Sequence, residues 1–187
     1  MNNRNIAIIR IRGRTGVSRK VNDTLDMMRL YKQNGCVIIP NQPQYLGMIQ
    51  RAKDYVTWGE IDKETFTLLF RKRARVAGNK PLTEEYLKQH IQLDTQTFIE
   101  EFFTFKKKLR DVPGLKPYFR LTPPNKGFER GGIKKPFSMG GSLGYRKDKI
   151  ANDTRRFRID AIRKLRLPRS ISAAISKTIR GTVSATV

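Results

Sequence analysis

Arg10-Ile-Arg-Gly-Arg-Thr-Gly-Val-Ser-Arg-Lys-Val-Asn-Asp-Thr-Leu-Asp-Met-Met-Arg-Leu-Tyr-Lys32 opens as the end of an apolar strand, crosses a glycine-punctuated loop and enters an amphipathic helix. Upstream of it, Asn5 to Ile11 is short, β-branched and apolar on both faces, the pattern of a strand covered on each side. Downstream, Val21, Leu25 and Met28 recur at helical spacing, Ser18 or Asn22 is placed to cap the helix, and Gly35 falls where it would end. Arg10, Arg12, Arg14, Arg19 and Lys20 crowd the loop and its borders. A loop so charged, with so little to pack against, requires a polyanion beside it.

The same alternation of elements continues outward. Cys36 to Ile39 is a second buried strand stopped by Pro40, and Asn41-Gln-Pro43 opens a second helix with Tyr45, Met48, Ile49 and Ala52 on one face. Val56-Thr-Trp58 is a third strand, closed by Gly59. The fold class is therefore α+β, with a small two-layer β-α-β-α-β core of one three-stranded sheet and two helices over residues 1–60.

Residues 61–152 form a helical and loop-rich basic extension expected to pack on that core and on RNA. Asp62 can cap a third helix, with Ile61 as a staple and Phe66, Leu69 and Phe70 facing inward. Arg71, Arg73 and Arg75 gather near its C-terminal end, where cations suit the negative terminus, and Gly78 is the expected stop. Two more helices are expected at Thr83–His90 and Asp94–Lys108, the second carrying Phe98, Phe102 and Phe105 as a core seam. From Asp111 onward prolines and glycines break any long element. Tyr118 to Leu121 can form a strand, and Ile133 to Tyr145 reads as mostly irregular backbone. Lys126, Arg130, Lys134, Lys135, Arg146 and Lys147 make this stretch a second basic surface, expected to order against RNA. Residues 153–187 are a basic tail for which a disordered arm, a late RNA contact and an altered chain end are all open readings.

Charge sets the partner class. The 187 residues hold 39 Lys and Arg against 16 Asp and Glu, a formal net charge of +23, and such an excess is most readily sustained beside phosphate. Catalytic readings fail for want of residues. Cys36 is the single cysteine and His90 the single histidine, which excludes a disulfide framework, a thiolate zinc site and a histidine pair. Glu84-Glu85 and Glu100-Glu101 are adjacent on helical segments and do not face one another. Gly13-Arg-Thr-Gly16 matches a KH-type clamp in four residues only, no Gly-Lys-Ser/Thr follows as a phosphate loop demands, and no convincing helix follows Gly140–Gly144. No enzyme, cofactor, metal or small-molecule substrate is expected. No apolar run approaches the roughly 20 residues of a membrane span and no signal-peptide core follows Met1, so the chain is expected to be soluble, intracellular and unattached to membrane.

Several motifs in collinear order resemble one family. They are the Gly13 and Gly16 loop, Val21-Asn-Asp-Thr-Leu-Asp-Met-Met28, Asn34-Gly-Cys-Val-Ile-Ile-Pro40, Tyr45-Leu-Gly-Met48 and Asp54-Tyr-Val-Thr-Trp-Gly-Glu60, then Leu121-Thr-Pro-Pro-Asn-Lys-Gly127 and Gly140-Gly-Ser-Leu-Gly144. Together they resemble the universal large-subunit ribosomal protein thirty family in its archaeal-type long form, which also includes the eukaryotic large-subunit protein seven. The resemblance spans Asn5 to Asn152; nothing is carried over for the tail. It implies a cytoplasmic, ribosome-bound protein that binds large-subunit rRNA, lies near 5S rRNA and touches neighbouring large-subunit proteins. An RNA-binding assembly factor of the same fold is the alternative. The expected RNA contacts are Arg10, Arg12, Arg14, Arg19 and Lys20 in the first loop, Arg71, Arg73 and Arg75 near the helix end, and the basic residues of the 126–147 stretch.

Overall fold

The computed structural model describes residues 4–91, 93–124 and 127–146. Lys126, Lys147 and the 153–187 tail lie outside them. The first sixty residues form β1 (Asn5–Arg10), α1 (Arg19–Met27), β2 (Gly35–Pro40), α2 (Pro43–Arg51) and β3 (Val56–Glu60). β1 is the middle strand, antiparallel to β2 on one side and to β3 on the other. All six of its residues are buried. Strand alternation then divides the sequence between two faces. Ile6 and Ile8 pack with Val37, Ile39, Leu25 and Ile49 beneath α1 and α2. Ala7, Ile9 and Ile11 turn the other way with Cys36 and Ile38.

The extension covers that second face. It contributes α3 (Lys63–Arg73), α4 (Glu84–Ile91) and α5 (Thr95–Phe103). Phe66, Phe70, Phe98 and Phe102 are all buried there. Phe66 and Phe102 stack with their centroids 4.5 Å apart and Phe70 and Phe98 with theirs at 5.3 Å, so aromatic packing welds α3 to α5 against the sheet. The helical layer of the first sixty residues and this second one enclose the sheet between them.

Three helix ends differ from expectation, the first being α3, which stops at Arg73 short of Gly78 because Ala74 is extended (φ −63°, ψ 134°). α5 stops at Phe103 rather than Lys108, because Phe105 takes a left-handed conformation (φ 60°) and the Lys106 N–H closes back onto the Glu101 carbonyl. Phe105 thus leaves the buried stripe, and Ile99 takes a place in it. α1 ends the same way, well before Gly35: Arg29 is left-handed (φ 61°) and Leu30 N–H bonds to the Leu25 carbonyl at 2.8 Å. The sheet also grows beyond three strands. β4 (Phe119–Arg120) joins β2 and β5 (Gly144–Tyr145) joins β3, giving the order β4-β2-β1-β3-β5. Both added strands come from the extension.

Candidate nucleic-acid interface

β1 and β4 finish at the end of the sheet where β2, β3 and β5 begin. The first basic loop leaves β1 there. Gln33 Nε2 donates to the Ile11 carbonyl at 2.8 Å and Asn34 N–H to that of Arg10 at 2.8 Å, which ties the base of this loop to the turn entering β2. That turn forms one wall of a cleft of about 590 Å³, whose cations are Lys32, Arg73, Arg75 and Arg120. Gln33, Asn34, Asn79 and Thr122 supply its neutral polar groups, and among the described residues no carboxylate lines it. Arg73 is held at the rim by Thr122, 3.5 Å away. Asn34 Oδ1 is buried without a hydrogen-bond partner, leaving an acceptor unspent in this wall.

The expected contact residues separate into three groups. Arg14, Arg19 and Lys20 are exposed, Arg14 paired with Asp26, while Arg12 lies 4.8 Å over the Tyr55 ring and donates to the Asp54 carbonyl at 3.2 Å. Arg71 is exposed with Glu84 4.0 Å away, too loose to neutralise it. Arg130, Lys134 and Lys135 are exposed on the loop leading into β5. Lys126 and Lys147 lie outside the described residues. The last group is Arg10 and Arg146, which the structure turns inward.

Both guanidiniums are used inside the fold, that of Arg10 by backbone carbonyls and that of Arg146 by side chains. Arg10 is fully buried; its Nη1 donates to the Leu30 carbonyl at 2.7 Å, Nε to Arg12 at 2.9 Å and Nη2 to Gly13 at 3.0 Å. Burial first, and then the charge of Arg14, lowers its pKa, with Asp26 acting the other way. Arg10 shapes the loop and does not face outward from it. Arg146 is likewise buried, with Nε donating to Thr57 Oγ1 at 3.0 Å, Glu129 at 3.6 Å and the Phe137 ring 4.7 Å below it. It pins the loop of the extension to β3. That loop also carries backbone hydrogen bonds of its own. Gly131 N–H bonds to Gly140, Phe137 to Leu143, Gly141 to Pro136 and Ser142 to Gly132, all between 2.7 and 3.1 Å.

Lys32 and Arg120 were not expected among the contacts. The signal for Arg120 is the alternation Tyr118-Phe-Arg-Leu121, which buries Phe119 and Leu121 and so exposes Arg120. Tyr31, 44% exposed beside Lys32, and Tyr145, 47% exposed beside Trp58, are aromatic faces open to solvent. Such faces can stack on unpaired bases. Among the described residues no group of three His, Cys, Asp or Glu side chains could hold a metal ion, and no helix is long and apolar enough to cross a membrane.

Comparison with known proteins identifies a family. Residues 6–56 match the family described as ribosomal protein L30p/L7e. A large ribosomal subunit protein uL30 of Methanopyrus kandleri is 48% identical over 144 residues, covering 76% of this chain and 96% of the relative. That of Methanococcus vannielii is 52% identical, covering 77% and 93%, and that of Nanoarchaeum equitans 44%, covering 77% and 92%. Identity at this level over nearly the whole of each relative establishes that the chain belongs to the ribosomal protein L30p/L7e family.

Proposed function

We propose that this chain is a structural constituent of the large ribosomal subunit and that it grips large-subunit rRNA at the end of its sheet. The family is one of structural, non-enzymatic ribosomal proteins, and the relatives are large-subunit proteins by name. The observation that carries the RNA contact is the cleft of Lys32, Arg73, Arg75 and Arg120, free of lining carboxylates among the described residues and continuous with the first basic loop. Cations there displace counterions from phosphates, while Tyr31 and Tyr145 offer stacking faces. The contacts are of the kind that follow RNA shape. The large subunit's 5S rRNA and adjoining proteins are the expected neighbours, on the strength of the family resemblance alone.

Binding of the purified chain to large-subunit rRNA, measured across salt, tests this. Affinity should fall roughly 10³–10⁵-fold between about 50 and 200 mM salt if about six to ten phosphates are engaged. Replacing Arg12, Arg14 and Arg19 together, or Arg75 and Arg120 together, should weaken binding and flatten that slope while circular dichroism stays unchanged. A salt-independent affinity removes the reading. Cross-linking within intact subunits checks the 5S neighbourhood.

A further inference from the structure

The outer edge of β2 is only half covered. β4 pairs with Gly35 and Cys36 and goes no further. Extending its register places Pro117 opposite Ile38, and proline has no N–H to continue the ladder. Asn41 N–H bonds to the Arg4 carbonyl on the β1 side, so alternation turns Ile38 N–H and C=O toward the outer edge, where no described residue pairs with them, while the Pro40 C=O accepts from Gln42 N–H at 2.9 Å. An unpaired edge of this kind is a template for another strand.

A groove of about 360 Å³ runs along this half-edge. Its floor is apolar on both sides of the strand, with Met27 and Tyr45 from the α1 and α2 layer and Phe105 and Leu109 from the opposite one. Met27 is 65% exposed, a large apolar side chain left to water at the lip. The rim is cationic. Arg29, Lys107, Lys108 and Arg110 line it; Lys107 has Glu101 at 3.1 Å and the Asp111 carboxylate accepts from the Lys108 backbone N–H at 2.7 Å, and among the described residues no Asp or Glu lines the groove.

We propose that this half-edge docks an extended, carboxylate-bearing segment of a neighbouring large-subunit protein, added to the sheet as a short strand. The proposal rests on the ribosomal reading above. Main-chain pairing to Ile38 gives the segment its register, alternate apolar side chains fill the two sides of the groove, and its acids meet the rim. RNA fits less well. It offers no matched ladder for a strand edge, and the cations lie on the rim over a floor of sulfur, aliphatic and aromatic groups. The chain's own end also lacks the complementary charge: residues 161–187 contain no Asp or Glu.

The test uses the full chain with p-benzoylphenylalanine in place of Met27, assembled into large subunits and irradiated. Sedimentation scores incorporation first, and failure to enter subunits overturns the ribosomal reading and the proposal together. The expected product is an RNase-resistant adduct mapping to an extended acidic segment of another subunit protein. Charge reversal with Lys108→Glu and Arg110→Glu should lower its yield about tenfold, and the Ile38 amide should exchange more slowly in the subunit than in the free chain. An RNase-sensitive adduct, an adduct within the chain, or no adduct overturns the proposal. So does a protein adduct indifferent to charge reversal with Ile38 exchanging as in the free chain.

Discussion

Arg10 Nη1 donates to the Leu30 carbonyl across 2.7 Å, joining the end of β1 to the residue where the chain leaves α1. The other donors of the same side chain hold Arg12 and Gly13, so one buried guanidinium sets both the exit of β1 and the first turn of the basic loop. Arg10→Met keeps apolar bulk and removes every donor, leaving three carbonyls to find new partners. Stability should fall by about 2–4 kcal/mol, read as a lower urea midpoint. Arg10→Lys should lie between, since one ammonium cannot span the fork. An unaffected midpoint in Arg10→Met would mean that burying the charge costs as much as its bonds return.

Gly141 sits where the loop of the extension folds back on itself. A Cβ built there would overlap the carbonyl of Lys135, which is backbone and cannot step aside. Gly141→Ala should therefore open the ladder between residues 131 and 143, at a cost of about 1–3 kcal/mol. Hydrogen exchange should show faster amides at Ser142 and Leu143 with β1 unchanged. Gly13 has nothing within 4 Å of its virtual Cβ. Gly13→Ala is the matched control, expected within about 0.5 kcal/mol of the parent.

Periodicity made β1, β2, α1, α2 and the Phe66, Leu69, Phe70 face of α3 readable, because each buries one side in register with its own geometry. Helix ends were less readable. Arg29 and Phe105 adopt the left-handed turn that ends α1 and α5, a conformation a side chain disfavours, so nothing in their identity announced it. The basic character of the interface was equally plain, yet the division of labour was not. Arg10 stands between Ile9 and Ile11 in a strand whose every residue is buried, and it needed the Leu30 carbonyl, twenty positions away, to explain it. The cleft was out of reach for the same reason: Lys32, Arg73 and Arg120 meet only after β4 has paired with β2.

The left-handed turn at Arg29 carries its own consequence. Arg29→Gly removes the steric cost of φ 61° but frees the unfolded chain, and the first effect is the larger. A gain of about 0.5–1 kcal/mol is expected in thermal or urea unfolding. A loss would show that the arginine stem packs on the apolar groove beside it strongly enough to outweigh the backbone.

Cys36 lies fully buried in β2, against the aromatic layer of α3 and α5. Burial pushes its thiol from an ordinary 9.0 up to about 12. The sign of the pH effect follows directly. Below pH 9 the thiol is protonated whether the chain is folded or not, and it contributes no pH dependence. Between 9 and about 12 the unfolded chain releases a proton that the folded chain retains, so stability falls as pH rises, by at most about 1.4 kcal/mol per pH unit. The quantity to measure is the difference between the parent chain and Cys36→Ala, which isolates the contribution of this thiol. That substitution costs stability at neutral pH through the lost sulfur, but its deficit should shrink steadily from about pH 9 upward. A deficit constant to about pH 11 would mean that the thiolate is accommodated in the fold. Alkylation by iodoacetamide near pH 8 supplies a second reading, because a thiol held protonated in the core reacts only when the sheet opens.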